Sequence, residues 1–342
     1  MTHSHISSFT GSRDEWDAFG AAQAGWTAFH RHALGETTAD VFTHECLRLC
    51  ARNGDGELTG ILPLVRVRSR LFGHFLVSMP FVSYGGPLGT DEAVRVLAAH
   101  ANALAIEGGA DLLELRSARE LPTDLPVSHR KITAVLPLPP GEPDKAFGNL
   151  KSKLRSQIRR PTKEGVEVRM GPDQVKPFHR VFSQHMRDLG TPTMPLRWFE
   201  SLSRTFGDDA WFACGWLRGE PVACGAGFRW NEEFEITWAS SLRAHNGISP
   251  NMAVYWSLIE RAAREGHRRF NFGRCTPGSP THKFKSQWGA VDEPLWWYQG
   301  GTGGASTPNA SSGKFELATR AWRRLPLAVA NVLGPRIVRY IP

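Results

Sequence analysis

Apolar residues recur along this chain in two rhythms, every second position and every third or fourth. After a polar start, Glu57 to Val67 (ELTGILPLVRV) predicts a strand. Leu71 to Val82 predicts another, ending in the turn Ser83-Tyr84-Gly85-Gly86-Pro87. Asp91 to Glu107 sets Val94, Leu97, Ala101 and Leu104 on one helical face. Gly108-Gly109 stops that helix, and Asp111 to Leu115 reads as a buried strand. The same order returns downstream. Trp211 to Leu217 and Val222 to Phe228 predict strands around Arg218-Gly219-Glu220, and Phe234 to Ser240 predicts a third. Ser249-Pro250 opens a helix, because Ser suits the cap and Pro the first helical position. It runs to about Glu265, Gly266 ends it, and Arg269 to Phe272 follows as a strand.

The repetition reaches single residues. Glu107-Gly108 and Glu265-Gly266 close the two long helices, and at that same spacing Leu112 meets Phe270 and Arg116 meets Arg274. Gly56-Glu57 and Gly219-Glu220 both turn into apolar strands, a few positions out of register, as an insertion in a loop allows. Two α/β halves are therefore expected, over 1–140 and 141–299, divided near the Pro-rich stretch Leu136 to Pro143. Residues 300–342 are expected to form a Gly/Ser/Thr-rich linker, Gly300 to Gly313, and a basic apolar tail, Lys314 to Pro342.

Length and composition fit this organisation. The chain has 342 residues, enough for two ordinary domains. Its 12 Trp and 19 Phe supply core material that disordered chains lack. The net charge of +8 favours anionic partners such as phosphorylated cofactors, nucleic acid or anionic lipid. Cys46, Cys50, Cys214, Cys224 and Cys275 are scattered and odd in number, which argues against a disulfide framework. No CxxC pair supports zinc, and no metal is expected. No signal peptide and no run of ~20 apolar residues is evident, so a cytoplasmic protein is expected.

Three segments carry candidate chemistry. From Phe147 to Lys163, Phe147, Leu150, Leu154 and Ile158 share a helical face beside a basic stripe of Lys151, Arg155, Arg159 and Lys163. Such a stripe either holds phosphates or is a solvated helix face. Pro161 is expected to end this helix near Arg160. In the second segment, Leu242 to Met252, Arg243, Ser249 and Asn251 lie at a helix N-terminus, where backbone N–H groups attract anions. A plain capped turn explains the same residues. The third runs from Phe270-Asn271-Phe272-Gly273-Arg274 through Gly278-Ser279 to Phe284-Lys285 and Trp288-Gly289. It puts Arg274 at the carboxyl end of a strand, where α/β folds bind ligands. If Lys283 and Lys285 lie on extended chain, both face one side and join Arg274 in a cluster suited to an oxyanion or phosphate.

These residues resemble the FemAB-like proteins, GNAT-related acyltransferases, and in particular those associated with exosortase (PEP-CTERM) systems. The likeness rests on Ser249-Pro250-Asn251, the Gly266 stop, FNFGR at Phe270–Arg274 and FKSQWG at Phe284–Gly289. It extends through Lys163-Glu164-Gly165-Val166, Leu62-Pro63-Leu64, Ser78-Met79-Pro80-Phe81 and Tyr84-Gly85-Gly86-Pro87 to nearly the whole chain. Two features depart from the family: Pro161 interrupts the basic helix, and no charged heptad pair forms the helical arm of the classical Fem enzymes. The resemblance implies an α/β (α+β) fold of tandem GNAT-like domains, each a mixed sheet flanked by helices. It also implies acyl transfer to an amine. Lys285 matches the lysine of the family's Phe-Lys motif near the reacting carbonyl, and Arg274 matches its Gly-Arg.

On this basis Lys285 and Arg274 are the expected catalytic residues. Arg155, Arg159, Arg243, Ser249, Asn251 and Lys283 are expected on the donor, and Tyr84 and Trp288 at the acceptor. Tyr84 is equally suited to packing. No base stands out: Glu233 and Glu235 are expected to face solvent, and His245 and His282 to be polar loop residues. The donor is expected to be acyl-CoA or aminoacyl-tRNA, with no tightly bound cofactor, and the acceptor an amine-bearing glycan or lipid-linked precursor of the envelope or an exopolysaccharide. A small amine acceptor, or a non-catalytic protein binding RNA or an anionic glycan, are the alternatives. The tail 314–342 either lies peripherally on the inner face of the plasma membrane or packs as a terminal helix.

Overall fold

The computed structural model describes residues 5–303 and 316–342. Most of the expected linker Gly300 to Gly313, and Lys314 and Phe315 of the tail, lie outside the described residues. In chain order the first elements are β1 (His5–Ser8), α1 (Arg13–Ala21), α2 (His32–Phe42), β2 (Glu45–Arg52), β3 (Leu58–Ser69), β4 (Gly73–Val77), β5 (Leu88–Gly89), α3 (Asp91–Glu107), β6 (Leu112–Ser117), β7 (Val127–Ser128) and β8 (Ile132–Pro137). Then come α4 (Pro143–Gly148), α5 (Ser152–Lys163), β9 (Glu167–Met170), α6 (Val175–Leu189), α7 (Leu196–Phe206), β10 (Ala210–Leu217), β11 (Glu220–Trp230), β12 (Glu233–Ser241) and α8 (Pro250–Arg264). The chain ends with β13 (Arg269–Cys275), α9 (Pro280–Ser286), β14 (Val291–Pro294), β15 (Trp296–Gly300), α10 (Glu316–Trp322) and α11 (Leu327–Val338).

The chain forms two compact units. The first holds residues 5–131, 294–303 and 339–342, and the second 132–293 and 316–338. The expected division after residue 140 is therefore corrected, and 316–338 is not a separate tail but part of the second unit. β8 pairs antiparallel with β13 in the second unit, while β15, from far downstream, pairs antiparallel with β6 in the first. The outer edges of β6 and β13 carry backbone groups that need partners. In each unit the partner strand comes from chain that the sequence assigns to the other half.

The first unit has the strand order β1-β2-β3-β4-β6-β15-β7, with β4 and β6 parallel. The second has the order β14-β8-β13-β12-β11-β10-β9, with β12 and β13 parallel. In both, the parallel pair is joined by one long helix, α3 or α8, which packs on the sheet. The predicted periodicity accounts for these helices. Val94, Leu97 and Ala101 of α3 meet Leu62 and Leu64 of β3. Val254, Leu258 and Ala262 of α8 meet Phe234, Ile236, Phe270 and Phe272. Each fully buried Leu, Ile or Phe contributes roughly 1.5–3 kcal/mol.

Several elements differ from expectation. The polar start contains α1, α2 and β1, and Cys46 and Cys50 lie on β2. The segment 167–206, for which the sequence reading makes no assignment, contains β9, α6 and α7. Phe178, Phe182 and Phe199 of the two helices make edge and stacked ring contacts among themselves, and Phe199 also meets Trp238 of β12. The basic helix is two helices, because the chain turns at Asn149 to Lys151. Phe147 and Leu150 therefore do not share a helix with Leu154 and Ile158, although all four reach one core. Pro161 lies inside α5, which continues to Lys163. It falls in the last turn, so only one intrahelical bond is lost, and the Pro161 carbonyl still accepts from Glu164 and Val166.

Candidate active site

β12 and β13 run in parallel register only through Glu233↔Arg269, Phe234↔Phe270 and Glu235↔Asn271. Both strands bulge just beyond. Against β11, the register of β12 shifts between Ala226 and Gly227, which leaves Thr237 extra. Against β8, the register of β13 shifts between Asn271 and Arg274. A bulge bends its strand and adds twist, so two at one level part the strands. Two glycines permit this. A Cβ at Gly227 would collide with the Glu235 carbonyl, and Gly273 sits at φ +71°, which side chains with a Cβ avoid.

Polar side chains fill the parting. Asn271 Nδ2 donates to Glu233 Oε1 at 2.8 Å, and its Oδ1 accepts the Gly273 N–H at 2.8 Å and the hydroxyl of Thr133. Arg269 donates to Glu233 at 2.6 Å and to Glu293 at 2.8 and 3.0 Å. From the short helix α9, Lys285 turns inward and is buried. Its Nζ donates to the carbonyls of Gly273 at 2.6 Å and Arg274 at 2.9 Å.

Glu235 is wholly buried at the same level. A Cβ on Gly273 would stand 3.8 Å from its Oε1. Oε1 accepts from the Thr237 hydroxyl at 3.4 Å, and Oε2 has no protein partner. Burial, with the charge of Glu233, pushes this carboxyl up to about 8, against the pull of Lys285 and Arg274. Burial brings the Lys285 ammonium down to about 8, although Cys275 and Glu235 favour its charge. A carboxyl and an ammonium that both exchange protons near neutrality suit general acid–base work.

Each expected site residue has a definite position. Lys285 and Arg274 meet at the parting, Lys285 buried and Arg274 exposed. Lys283 is exposed on α9 and does not face the same way as Lys285. The segment is helical, not extended, so positions two apart point to different sides. Arg155 donates to the carbonyls of Gly148 and Leu150 at 2.7 and 2.9 Å, tying α4 to α5. Arg159 lies over the Phe147 ring at 4.9 Å. Arg243 is exposed on a 3₁₀ turn over Arg243–Ile248 that leads into α8. Ser249 precedes α8 in the left-handed region at φ 55° and, contrary to expectation, does not cap it with its side chain. Its hydroxyl turns back to the Asn246 carbonyl at 3.4 Å. Asn251 stands in the first turn of α8 and is half-buried.

The two expected acceptor residues are core residues. Tyr84, in the first unit, is buried and stacks on Phe29 at 6.0 Å. Trp288 packs among Tyr255, Phe272 and Phe284. Its buried indole N–H has no protein partner. His282 is fully engaged as well, with Nδ1 accepting the Gly278 N–H and Nε2 meeting Asp292 at 2.9 Å.

Sequence reasoning missed Glu235 and Asn271. The expectation that Glu235 faces solvent is corrected, because β12 is an interior strand covered on both faces. The available signal was a glutamate between Phe234 and Ile236 in a strand running on into Trp238. The matching place in the first unit is filled by that unit's own side chains. There β4 and β6 part after Val77↔Glu114. Buried Arg116 pairs with Glu114 at 2.7 Å and donates to the Val82 carbonyl at 2.9 Å.

Residues 148–286 match the family model described as Acetyltransferase (GNAT) domain. The second unit thus carries an acyltransferase domain of the GNAT kind. The fold of the whole chain is similar to that of FemX, at 14% identity, with 85% of this chain and 97% of that one covered and a TM-score of 0.63. It is also similar to L-PGS from Bacillus licheniformis, at 13% identity, 92% and 98% coverage and a TM-score of 0.54. A tandem GNAT protein from the clavulanic acid biosynthesis pathway matches at 13% identity, 89% and 100% coverage and a TM-score of 0.52. No curated protein matches the chain in sequence. The architecture is therefore that of FemX and the tandem GNAT proteins, two mixed sheets flanked by helices.

Proposed function

We propose that the protein transfers an acyl or aminoacyl group from an activated donor to an amine of a cell-envelope or exopolysaccharide precursor, at the parting of β12 and β13. The observation that carries this reading is buried Glu235, with one oxygen free of protein partners, coupled to buried Lys285. The acceptor nitrogen attacks the donor carbonyl carbon. A C–N bond forms, and the C–S bond of a thioester, or the C–O bond of an ester, breaks. Glu235 in its ionised form takes the proton released by the amine and passes it to the leaving thiolate or alkoxide, which returns Glu235 to its starting form. Lys285, held by two carbonyls, and the neighbouring Arg274 supply positive charge for the developing oxyanion.

The GNAT domain favours a CoA thioester as donor. Arg243, Asn251 and the N-terminal turn of α8 are suited to its phosphates, and Lys283 on α9 offers a further exposed cation. An aminoacyl-tRNA donor is the second option. The FemX-like fold and the family likeness of FNFGR and FKSQWG favour it and an envelope or exopolysaccharide acceptor.

The test begins with titration of the purified protein with acetyl-CoA, a longer acyl-CoA, and charged and uncharged tRNA, followed by transfer assays with amine acceptors. Saturable binding of one thioester identifies the donor. Preference for charged over uncharged tRNA identifies the Fem-type reaction. With the donor in hand, Lys285→Met is expected to lower transfer by ~10²-fold or more while leaving donor affinity within a few-fold. Full activity of that variant removes Lys285 from the reaction. Steeply salt-dependent binding of RNA with no transfer from any donor would replace the enzyme reading with a binding one.

A further inference from the structure

We propose that α10 and α11 form a docking surface for an anionic lipid bilayer, independently of which acyl group or acceptor the enzyme uses. The basis is a reversal of the usual pattern on α11. A surface helix ordinarily turns its large apolar residues to the protein and its polar ones to water. On α11 the protein-facing side is made of Ala330, Gly334 and Val338, at four-residue spacing and buried. The approach is close: a Cβ at Gly334 would come within 2.9 Å of the Thr193 backbone N. The outward side carries Val329, Val332 and Leu333, which are 41%, 59% and 38% exposed. In α10, Leu317 is 79% exposed, and Leu189, at the end of α6 next to α10, is 40% exposed.

Charge selects the occupant. Between Glu316 and Val338 there are four arginines, Arg320, Arg323, Arg324 and Arg336, and a single carboxylate, Glu316. Arg320 holds that carboxylate. Arg323 is tied to the apolar patch, because its guanidinium donates to the Leu189 carbonyl at 3.2 and 3.3 Å. Arg324 and Arg336 are exposed. Large apolar side chains flanked by arginines match the boundary between acyl chains and anionic headgroups. A second copy of this chain would meet the same positive charge and be repelled. Neither helix spans a membrane: α11 has 12 residues, about 18 Å of helix, and no described helix is long and apolar enough to cross a bilayer.

The test uses the full chain, because α11 covers part of α6 and Thr193 and its removal would uncover them. Sedimentation with phosphatidylcholine vesicles is compared with sedimentation with equimolar phosphatidylcholine and phosphatidylglycerol. Strong partitioning to the anionic vesicles, falling as salt is raised, is expected. Val332→Glu with Leu333→Glu is expected to weaken it at least ~10-fold, and Arg324→Gln with Arg336→Gln by ~10–30-fold. All four side chains are exposed, so thermal unfolding of both variants should coincide with wild type, which separates lost docking from lost folding. Equal sedimentation with and without phosphatidylglycerol, or wild-type partitioning by the Val332/Leu333 variant, overturns the proposal. So does a concentration-dependent dimer, seen by light scattering, that the same variant dissociates, because the face is then a protein interface.

Discussion

Replacing Glu235 with Gln tests the central feature of the site, a carboxyl buried in its protonated form. Its folded pKa of about 8 stands above the ordinary 4.5. Between those two values the folded protein holds a proton that the unfolded chain has released. Stability therefore falls as pH rises through this window, by roughly 1.4 kcal/mol for each pH unit of displacement, or on the order of 5 kcal/mol in all. Gln has nearly the shape of the protonated acid and no proton to lose, so Glu235→Gln removes this loss. Buried and half-buried histidines titrate in the opposite sense: His30 is brought down to about 4, and His44, His179, His185 and His267 are lowered, mainly by burial. They are common to both proteins and cancel in the difference. The assay is urea unfolding of wild type and variant at pH 5, 6.5 and 8. The variant should match wild type near pH 5 and gain on it progressively toward pH 8. A constant difference across that range would falsify the buried-acid account.

Three further substitutions separate scaffold from chemistry. Gly227→Ala drives a Cβ into the Glu235 carbonyl at the bulge of β12. It should cost about 3 kcal/mol or more, read as a lower urea midpoint at unchanged slope; a wild-type midpoint would show that the bulge relaxes freely. Arg155→Ala removes two bonds that tie α4 to α5. It should cost about 1–3 kcal/mol with donor affinity within about twofold of wild type, whereas Arg159→Ala, a surface change, should leave the melting temperature nearly unmoved. A weakened donor with an unchanged melting temperature in Arg155→Ala would return that residue to the donor site.

The sequence by itself determined the two-fold repetition, the long helices α3 and α8, the strands on either side of them and the acyltransferase resemblance. These are properties of local periodicity and of stop signals such as Gly108 and Gly266, which act within a few residues of chain. It also singled out Lys285 and Arg274, because a Gly-Arg at a strand end and a Phe-Lys soon after are readable as strings. The basic stripe was readable too, but not what its members touch: Arg155 is occupied by carbonyls of its own α4–α5 turn.

Only the tertiary structure decided the rest. Whether Glu235 faces water or core depends on β12 lying inside the sheet, with β11 on one side and β13 on the other, and no local pattern states that. The parting of β12 from β13 needs two bulges at one level, which arise from registers against β11 and β8, strands from distant parts of the chain. The exchange of β8 and β15 between units depends on which edge lacked hydrogen-bond partners after each parallel pair had formed. Tyr84 and Trp288 were expected at the acceptor, Tyr84 equally as a packing residue, because an aromatic beside glycine reads the same in a cleft and in a core. Burial separates the two, and burial is a property of the packed chain and not of its order.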